Sequence, residues 1–265
     1  MIIKLEFRAL IKISGIDATN FLQSQFSNDI KSLKQGQIQL NAYCQHQGKI
    51  MALLWVFIKN DSFYLSLPEE LKGLILSKLN MFKLMSKVNI EDVSSEINQY
   101  GLIDGKLDGS MKIRNNLSLH TTNKILESNF DSNLWEKACI DNELPEIYLK
   151  TSEKFIPQAL NLDIDEIGVS FTKGCYPGQE VVARMHYLGK PKRRLFHFSS
   201  KYETTIGDLI NVKDSKSLKS SGVILRVAKS DENYHSLSTF EIQHISESAY
   251  LNNDVNKSLM IVNAS

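Results

Sequence analysis

Short apolar runs alternate with polar punctuation along the chain, and their spacing predicts many strands and a few amphipathic helices. Residues 5–13 have strand character, and Ser14-Gly15 ends them. Asp17 then stands as a helix N-cap ahead of an approximate helical stripe of Phe21, Leu22, Phe26 and Ile30. Strands follow at 36–44, 49–58 and 62–67, joined across Gln47-Gly48 and Asn60-Asp61 as an antiparallel meander. Pro68 with Glu69-Glu70 makes a first helical turn, since proline needs no N–H there and the acids suit the positive end of the dipole. Leu71, Leu74, Ile75, Leu79 and Phe82 form the buried face of that helix, which ends near Asn80. Strands at 84–91 and 97–103 come next, while 105–118 is turn-rich and weakly patterned. Leu134, Trp135, Ala138 and Cys139 repeat at three and four along a helix over 132–142.

Pro145 stops that helix, and 145–178 reads as a long connection, too apolar for disorder and of the length that loops reach when they carry function. Gln179 to Arg184 has the composition of a further helix. From Leu195 onward, alternating stretches at 195–199, 208–212, 221–228, 237–245 and 258–262 are separated by Ser, Asn, Asp and Gly, as in a small all-β domain. The expected organisation is a larger region, 1–190, followed by a β domain, 191–265.

Composition narrows the function classes. With 42% hydrophobic and 23% charged residues in 265, the chain has the proportions of a soluble globular protein, not a disordered one. Lys and Arg total 31 against 30 Asp and Glu, a formal charge of +1, so no whole-molecule field draws it to nucleic acid or an anionic membrane. Any polyanion must be met locally, and Lys190-Pro191-Lys192-Arg193-Arg194 is the strongest basic cluster. It suits a phosphate backbone or a polyglutamate tail; a solvated interdomain loop is the blander account. The N-terminus reads as a strand and not a signal peptide, and the longest apolar run, Met51 to Ile58, falls short of the about 20 residues that span a membrane. Cys44, Cys139 and Cys175 form no CxxC pair, so neither a disulfide framework nor a zinc site is expected, and reduced thiols in the cytoplasm are. Cys44 and His46 have a spacing compatible with a metal, yet no second pair accompanies them, which favours a simple strand end.

The densest chemistry lies in Lys173-Gly174-Cys175-Tyr176-Pro177-Gly178-Gln179-Glu180. Two glycines and a proline shape a tight turn before a helix. A cysteine there, two residues from a lysine, sits where positive potential stabilises a thiolate. The residues alone leave a reactive thiol and a small buried filler both open.

This stretch, with Phe155-Ile156-Pro157-Gln158-Ala159-Leu160-Asn161-Leu162 before it, closely resembles the signature of the YgfZ family of folate-binding proteins, relatives of the glycine-cleavage T-protein. Gly15-Ile16-Asp17-Ala18, Phe21-Leu22-Gln23, Asn28-Asp29, the turn from Ala42-Tyr43-Cys44 to Gly48-Lys49, and Phe82 with Ser86-Lys87-Val88 match in the same order. Together the matches cover about residues 8–194.

The resemblance implies an α+β fold, with T-protein-like folate-binding α/β layers around a central pocket and a C-terminal β-barrel. It implies a tetrahydrofolate or other folate as ligand, and a role in iron–sulfur cluster assembly or repair. Clients would be iron–sulfur enzymes such as the tRNA methylthiotransferase, with direct tRNA binding an open possibility. By the same analogy Cys175 and Lys173 are the functional pair, Gln179, Glu180 and Arg184 edge the site, and Trp135, Tyr43 and Arg8 belong to the folate rim. A tryptophan on a helical apolar stripe is otherwise ordinary core. Three departures stand out. The T-protein's aspartate pair falls on Ala52 and Leu53, the family's arginine and glycine near Pro145 are Cys139 and Glu143, and an N-terminal tryptophan is replaced around Phe7-Arg8. An alanine accepts no proton, which weighs against the alternative, a folate-dependent one-carbon (aminomethyl or methyl) transferase.

Overall fold

Apolar strands close into hairpins where the connecting residues tolerate a left-handed backbone, as Asn60, Asp61, Asn115 and Asp231 do here. The computed structural model describes residues 1–129, 131–212 and 220–263. The chain opens with β1 (Ile2–Lys4), β2 (Arg8–Ser14), α1 (Ala18–Gln25), β3 (Ile38–Cys44), β4 (Ile50–Lys59) and β5 (Ser62–Pro68). It continues through α2 (Lys72–Phe82), β6 (Asn89–Asp92), β7 (Asn98–Ile103), β8 (Met111–Arg114), β9 (Leu117–Thr122), α3 (Ser132–Asp141) and α4 (Gln179–Leu188). The last strands are β10 (Arg193–Ser200), β11 (Leu209–Val212), β12 (Gly222–Ser230), β13 (Asn233–Glu241), β14 (Ala249–Leu251) and β15 (Asp254–Asn263).

These strands make a five-stranded sheet ordered β3-β4-β5-β2-β6, a four-stranded sheet ordered β1-β7-β9-β8, and a closed barrel ordered β10-β13-β12-β11-β14-β15. The architecture is the expected α+β arrangement ending in a β-barrel. β4 is buried from Ile50 to Phe57, which accounts for its unbroken apolar run: both of its faces are covered. In the barrel the side chains alternate. Phe196, Phe198 and Ile224 fill its interior, while Leu195, Val223 and Leu225 face the main core. No helix among the described residues is long and apolar enough to cross a membrane.

A buried charge network joins the barrel to the rest. Arg226 of β12 donates to the Leu144 carbonyl at 2.8 Å and to Glu136 of α3 at 2.5 Å. Glu146 lies 3.5 Å from Arg226 and 2.5 Å from Arg8 of β2. Two guanidinium groups thus balance two carboxylates.

Several elements depart from the expected pattern. The strand character expected at the N-terminus and over 5–13 resolves into two strands of different sheets, the second starting only at Arg8. Ile2–Lys4 pairs with β7 of one sheet, and Arg8–Ser14 pairs with β5 and β6 of the other, with exposed Glu6 at the crossing. The strand expected at 84–91 is reduced to Asn89–Asp92 because α2 runs to Phe82 and a turn follows, leaving Leu84 and Met85 exposed. The weakly patterned 105–118 contains β8 and the start of β9, and the short β14 escaped the spacing altogether. α1 ends at Gln25, so Ile30 of the predicted stripe sits in a 3₁₀ turn. The connection 145–178 contains only 3₁₀ turns, at Pro157–Leu160 and Ile164–Glu166.

Candidate functional site

Tyr176-Pro177-Gly178-Gln179 closes with a 3.1 Å bond from the Gln179 amide to the Tyr176 carbonyl. Gly178 has φ +81 and ψ 1, the values of the third residue of a type II turn. A Cβ at Gly178 would lie 2.5 Å from the Gln45 carbonyl oxygen and 2.6 Å from the Gly48 Cα, so glycine alone lets this turn rest against the β3–β4 turn. α4 starts at the next residue.

In the residues leading into that turn, two exposed positions lie between two buried ones. Lys173 is buried, Gly174 and Cys175 are exposed, and Tyr176 is buried. Lys173 donates through Nζ to the carbonyls of Gln23 and Phe26, at 2.5 Å each, where α1 ends and its dipole is negative. Its ammonium also lies 5.0 Å from the Tyr176 ring centroid. Burial pulls the lysine down to about 8, opposed by the charges of Asp29 and Cys175. Cys175 is therefore an exposed thiol on a turn pinned at both sides, which removes the buried-filler reading. Cys44 and Cys139 are sealed in the core, and burial pushes each thiol up to about 12. His46 is exposed on the neighbouring turn.

The segment that Lys173 grips also walls a cavity. Ser27 donates to the Gly168 carbonyl and accepts from the Ala42 amide, and Asn28 donates to the Leu40 carbonyl at 3.0 Å. Asn28, Gln39, Trp55, Arg114, Asp165 and Glu166 line a cavity of about 440 Å³, with Leu40 and Leu144 among its apolar walls. Asp165 and Glu166 both have φ +51, a left-handed backbone that non-glycine residues adopt at some cost.

The structure gathers only some of the predicted site residues. Gln179, Glu180 and Arg184 lie on α4 beside the cysteine turn, the last two forming an exposed 3.6 Å ion pair. Tyr43 is buried behind the 23–29 segment, edge-on to Phe26 and donating to Gln25 at 3.3 Å. Arg8 stands apart, its guanidinium nitrogens engaged by Glu146 and Ser66. Trp135 does not line the cavity; its ring covers Gly101, and its Nε1 is buried with no partner among the described residues. Sequence reasoning missed Trp55, Arg114, Asp165 and Glu166. Trp55 hides in an apolar strand, and the four meet only through tertiary folding.

No family model matches the chain. An uncharacterized protein of Haemophilus influenzae is 33% identical over 232 residues, spanning 84% of this chain and 82% of its own length. The tRNA-modifying protein YgfZ of Colwellia psychrerythraea is 28% identical over 264 residues, spanning 86% of this chain and 80% of its own. The chain belongs to the YgfZ family. The YgfZ protein of Buchnera aphidicola subsp. Schizaphis graminum is likewise 29% identical over 262 residues. The fold of this chain is similar to that of the glycine cleavage system aminomethyltransferase T from Bartonella henselae. That crystal structure superposes with a TM-score of 0.67 at 10% identity, covering 99% of this chain and 84% of the other.

Proposed function

We propose that this chain is a folate-binding accessory protein that supports iron–sulfur cluster assembly or repair in enzymes that modify tRNA, with Cys175 as its functional thiol. The observation that carries the reading is the presentation of that thiol. Two of the three cysteines are sealed, and the third stands exposed on a turn held by Lys173 and Tyr176. The name of its YgfZ relatives, tRNA-modifying protein, supports the choice of pathway. One thiolate holds no cluster alone, so a client such as the tRNA methylthiotransferase would supply the remaining ligands. A reducing cytoplasm would keep Cys175 as a thiol.

The residues around the cavity fit a folate. About 440 Å³ lies within the roughly 300–1,000 Å³ usual for small-molecule sites. Trp55 offers a flat apolar face to a pterin, Asp165 and Glu166 accept from its N–H groups, and Arg114 suits the glutamate carboxylates. When bound, a tetrahydrofolate carries one-carbon units. The chain's own contribution to transferring them is poor, because Ala52 and Leu53 are fully buried in β4 and offer no proton acceptor. This disfavours the one-carbon transferase. A division into 1–190 for folate and client and 191–265 as supporting barrel belongs to the same proposal.

The test is complementation in a strain lacking this protein. Cys175→Ser is expected to fold and accumulate normally while failing to restore the methylthio modification of tRNA. Full restoration by the serine form would remove the thiol from the mechanism.

A further inference from the structure

Residues 71–90, which span α2 and the turn after it, hold four lysines and no aspartate or glutamate. In a chain whose net charge is +1, this segment alone carries four positive charges and the remainder is net acidic. Its apolar residues divide into two groups. Leu71, Ile75 and Leu79 are buried in the core, whereas Met81, Phe82, Leu84 and Met85 are exposed, Leu84 by 85% and Met85 by 97%. Ile16, 86% exposed, joins the second group from the β2–α1 turn. Gly15 brings it there by packing so closely on Lys87 that a Cβ would lie 2.2 Å from the Lys87 carbonyl oxygen. Single exposed apolar side chains are ordinary, but five at one corner mark an interaction surface.

The cations around this corner are mostly unpaired. Lys72 is held by Glu69 and Asp92, but Lys78, Lys83 and Lys87 have no carboxylate partner among the described residues. Asp17 touches the turn, and its Oδ2 accepts the Lys87 amide at 2.7 Å. Glu91, just beyond, faces Lys12 at 3.6 Å.

The charges and the exposure choose among the partners that cover such a surface. A second copy of the chain would set Lys78, Lys83 and Lys87 against their own images. A folded protein needs a pocket fitted to side chains that stand almost wholly clear of the fold. A bilayer needs no fitted pocket: its fluid acyl region takes the apolar tips, and its anionic headgroups lie where the lysine ends reach past them.

We infer that the 81–87 turn, with Ile16 beside it, docks the protein on an anionic lipid surface. Leu84 and Met85 enter the boundary between headgroups and acyl chains, while Lys78, Lys83 and Lys87 sit at headgroup level. The contact lies on the bilayer, since no helix among the described residues is long and apolar enough to cross one. It does not depend on the function proposed above. α1 stands between the two sites: Asp17 before its first turn accepts from Lys87, and the Gln23 and Phe26 carbonyls at its other end hold Lys173.

The experiment is co-sedimentation of the intact protein with sucrose-loaded vesicles, made either of phosphatidylcholine alone or of equal parts phosphatidylcholine and phosphatidylglycerol. Binding to the anionic vesicles is expected to exceed binding to the neutral ones at least about tenfold at low salt, and to weaken as potassium chloride rises. Lys83→Ala/Lys87→Ala is expected to lower it about 25-fold, at about fivefold per lysine near the surface. Leu84→Ser/Met85→Ser changes only exposed side chains, so it is expected to fold normally and to lower binding at least about tenfold. Met85→Cys in a Cys175→Ser background, labelled with a nitrobenzoxadiazole fluorophore, is expected to brighten and shift to shorter wavelength on anionic vesicles. No binding to the anionic vesicles, equal binding to both kinds, or a Leu84→Ser/Met85→Ser variant that binds as well as the wild type would each overturn the inference. Loss of self-association or of complementation in that variant, without vesicle binding by the wild type, would assign the surface to a second copy or to a protein partner instead.

Discussion

Trp55 and Trp135 are both buried, but only Trp55 lines the cavity, whereas Trp135 is pressed onto Gly101. A pterin bound in that cavity would therefore stack on Trp55 and quench its fluorescence. Titration with 5-formyltetrahydrofolate is expected to quench the wild-type protein and Trp135→Phe alike. Trp55→Phe should lose most of the quenching and bind several-fold more weakly. Quenching that survives Trp55→Phe and disappears in Trp135→Phe would move the folate to α3. At this scale the sequence is legible where chemistry is local. Gly178 and Pro177 mark their turn because one residue's φ decides it, and Cys175 stands out beside them. The cavity was not legible, since Asn28, Trp55, Arg114 and Asp165 come from four separate segments and no periodicity connects them.

Elements were legible where one face of a strand or helix is buried, and illegible where the chain changes partner without changing pattern. Ile2–Lys4 and Arg8–Ser14 belong to different sheets, yet both are buried enough to continue one apolar pattern. Met81, Phe82, Leu84 and Met85 mislead in the opposite way, being apolar and exposed. The β10–β13 pair holds a feature that periodicity cannot reveal. His197 Nε2 lies 3.0 Å from His235 Nδ1, and burial, then the charge on His235, pulls His197 down to about 4. A histidine whose folded value lies below its unfolded value near 6.5 binds fewer protons folded than unfolded. Its contribution to stability is therefore intact above about 6.5 and is lost as pH falls toward 4. The melting temperature of the wild type is expected to fall across this window more steeply than that of His197→Phe, followed by circular dichroism. Parallel curves would show that the pair titrates normally.

The whole molecule depends on how the barrel is seated, and the Arg8, Glu146, Arg226 and Glu136 network is the polar part of that seat. Burying four charges is costly, and the network stands because each charge is paired. Removing one partner strands another. Arg226→Met leaves Glu136 and Glu146 sharing Arg8 alone, although Arg8 reaches only Glu146, at 2.5 Å. A broken buried pair costs about 3–5 kcal/mol, a large part of a typical stability of about 5–15 kcal/mol. Urea unfolding should show that loss as a lower midpoint. Adding Glu136→Gln neutralises the stranded carboxylate, and its amide can still accept the Tyr148 hydroxyl that Glu136 accepts at 3.3 Å. Arg226→Met/Glu136→Gln keeps the balanced Arg8–Glu146 pair and is expected to recover more than half of the loss. If the double variant is no more stable than the single, charge balance is not what the network supplies. The Arg226 bond to the Leu144 carbonyl and the packing of β12 on α3 would then hold the barrel in place.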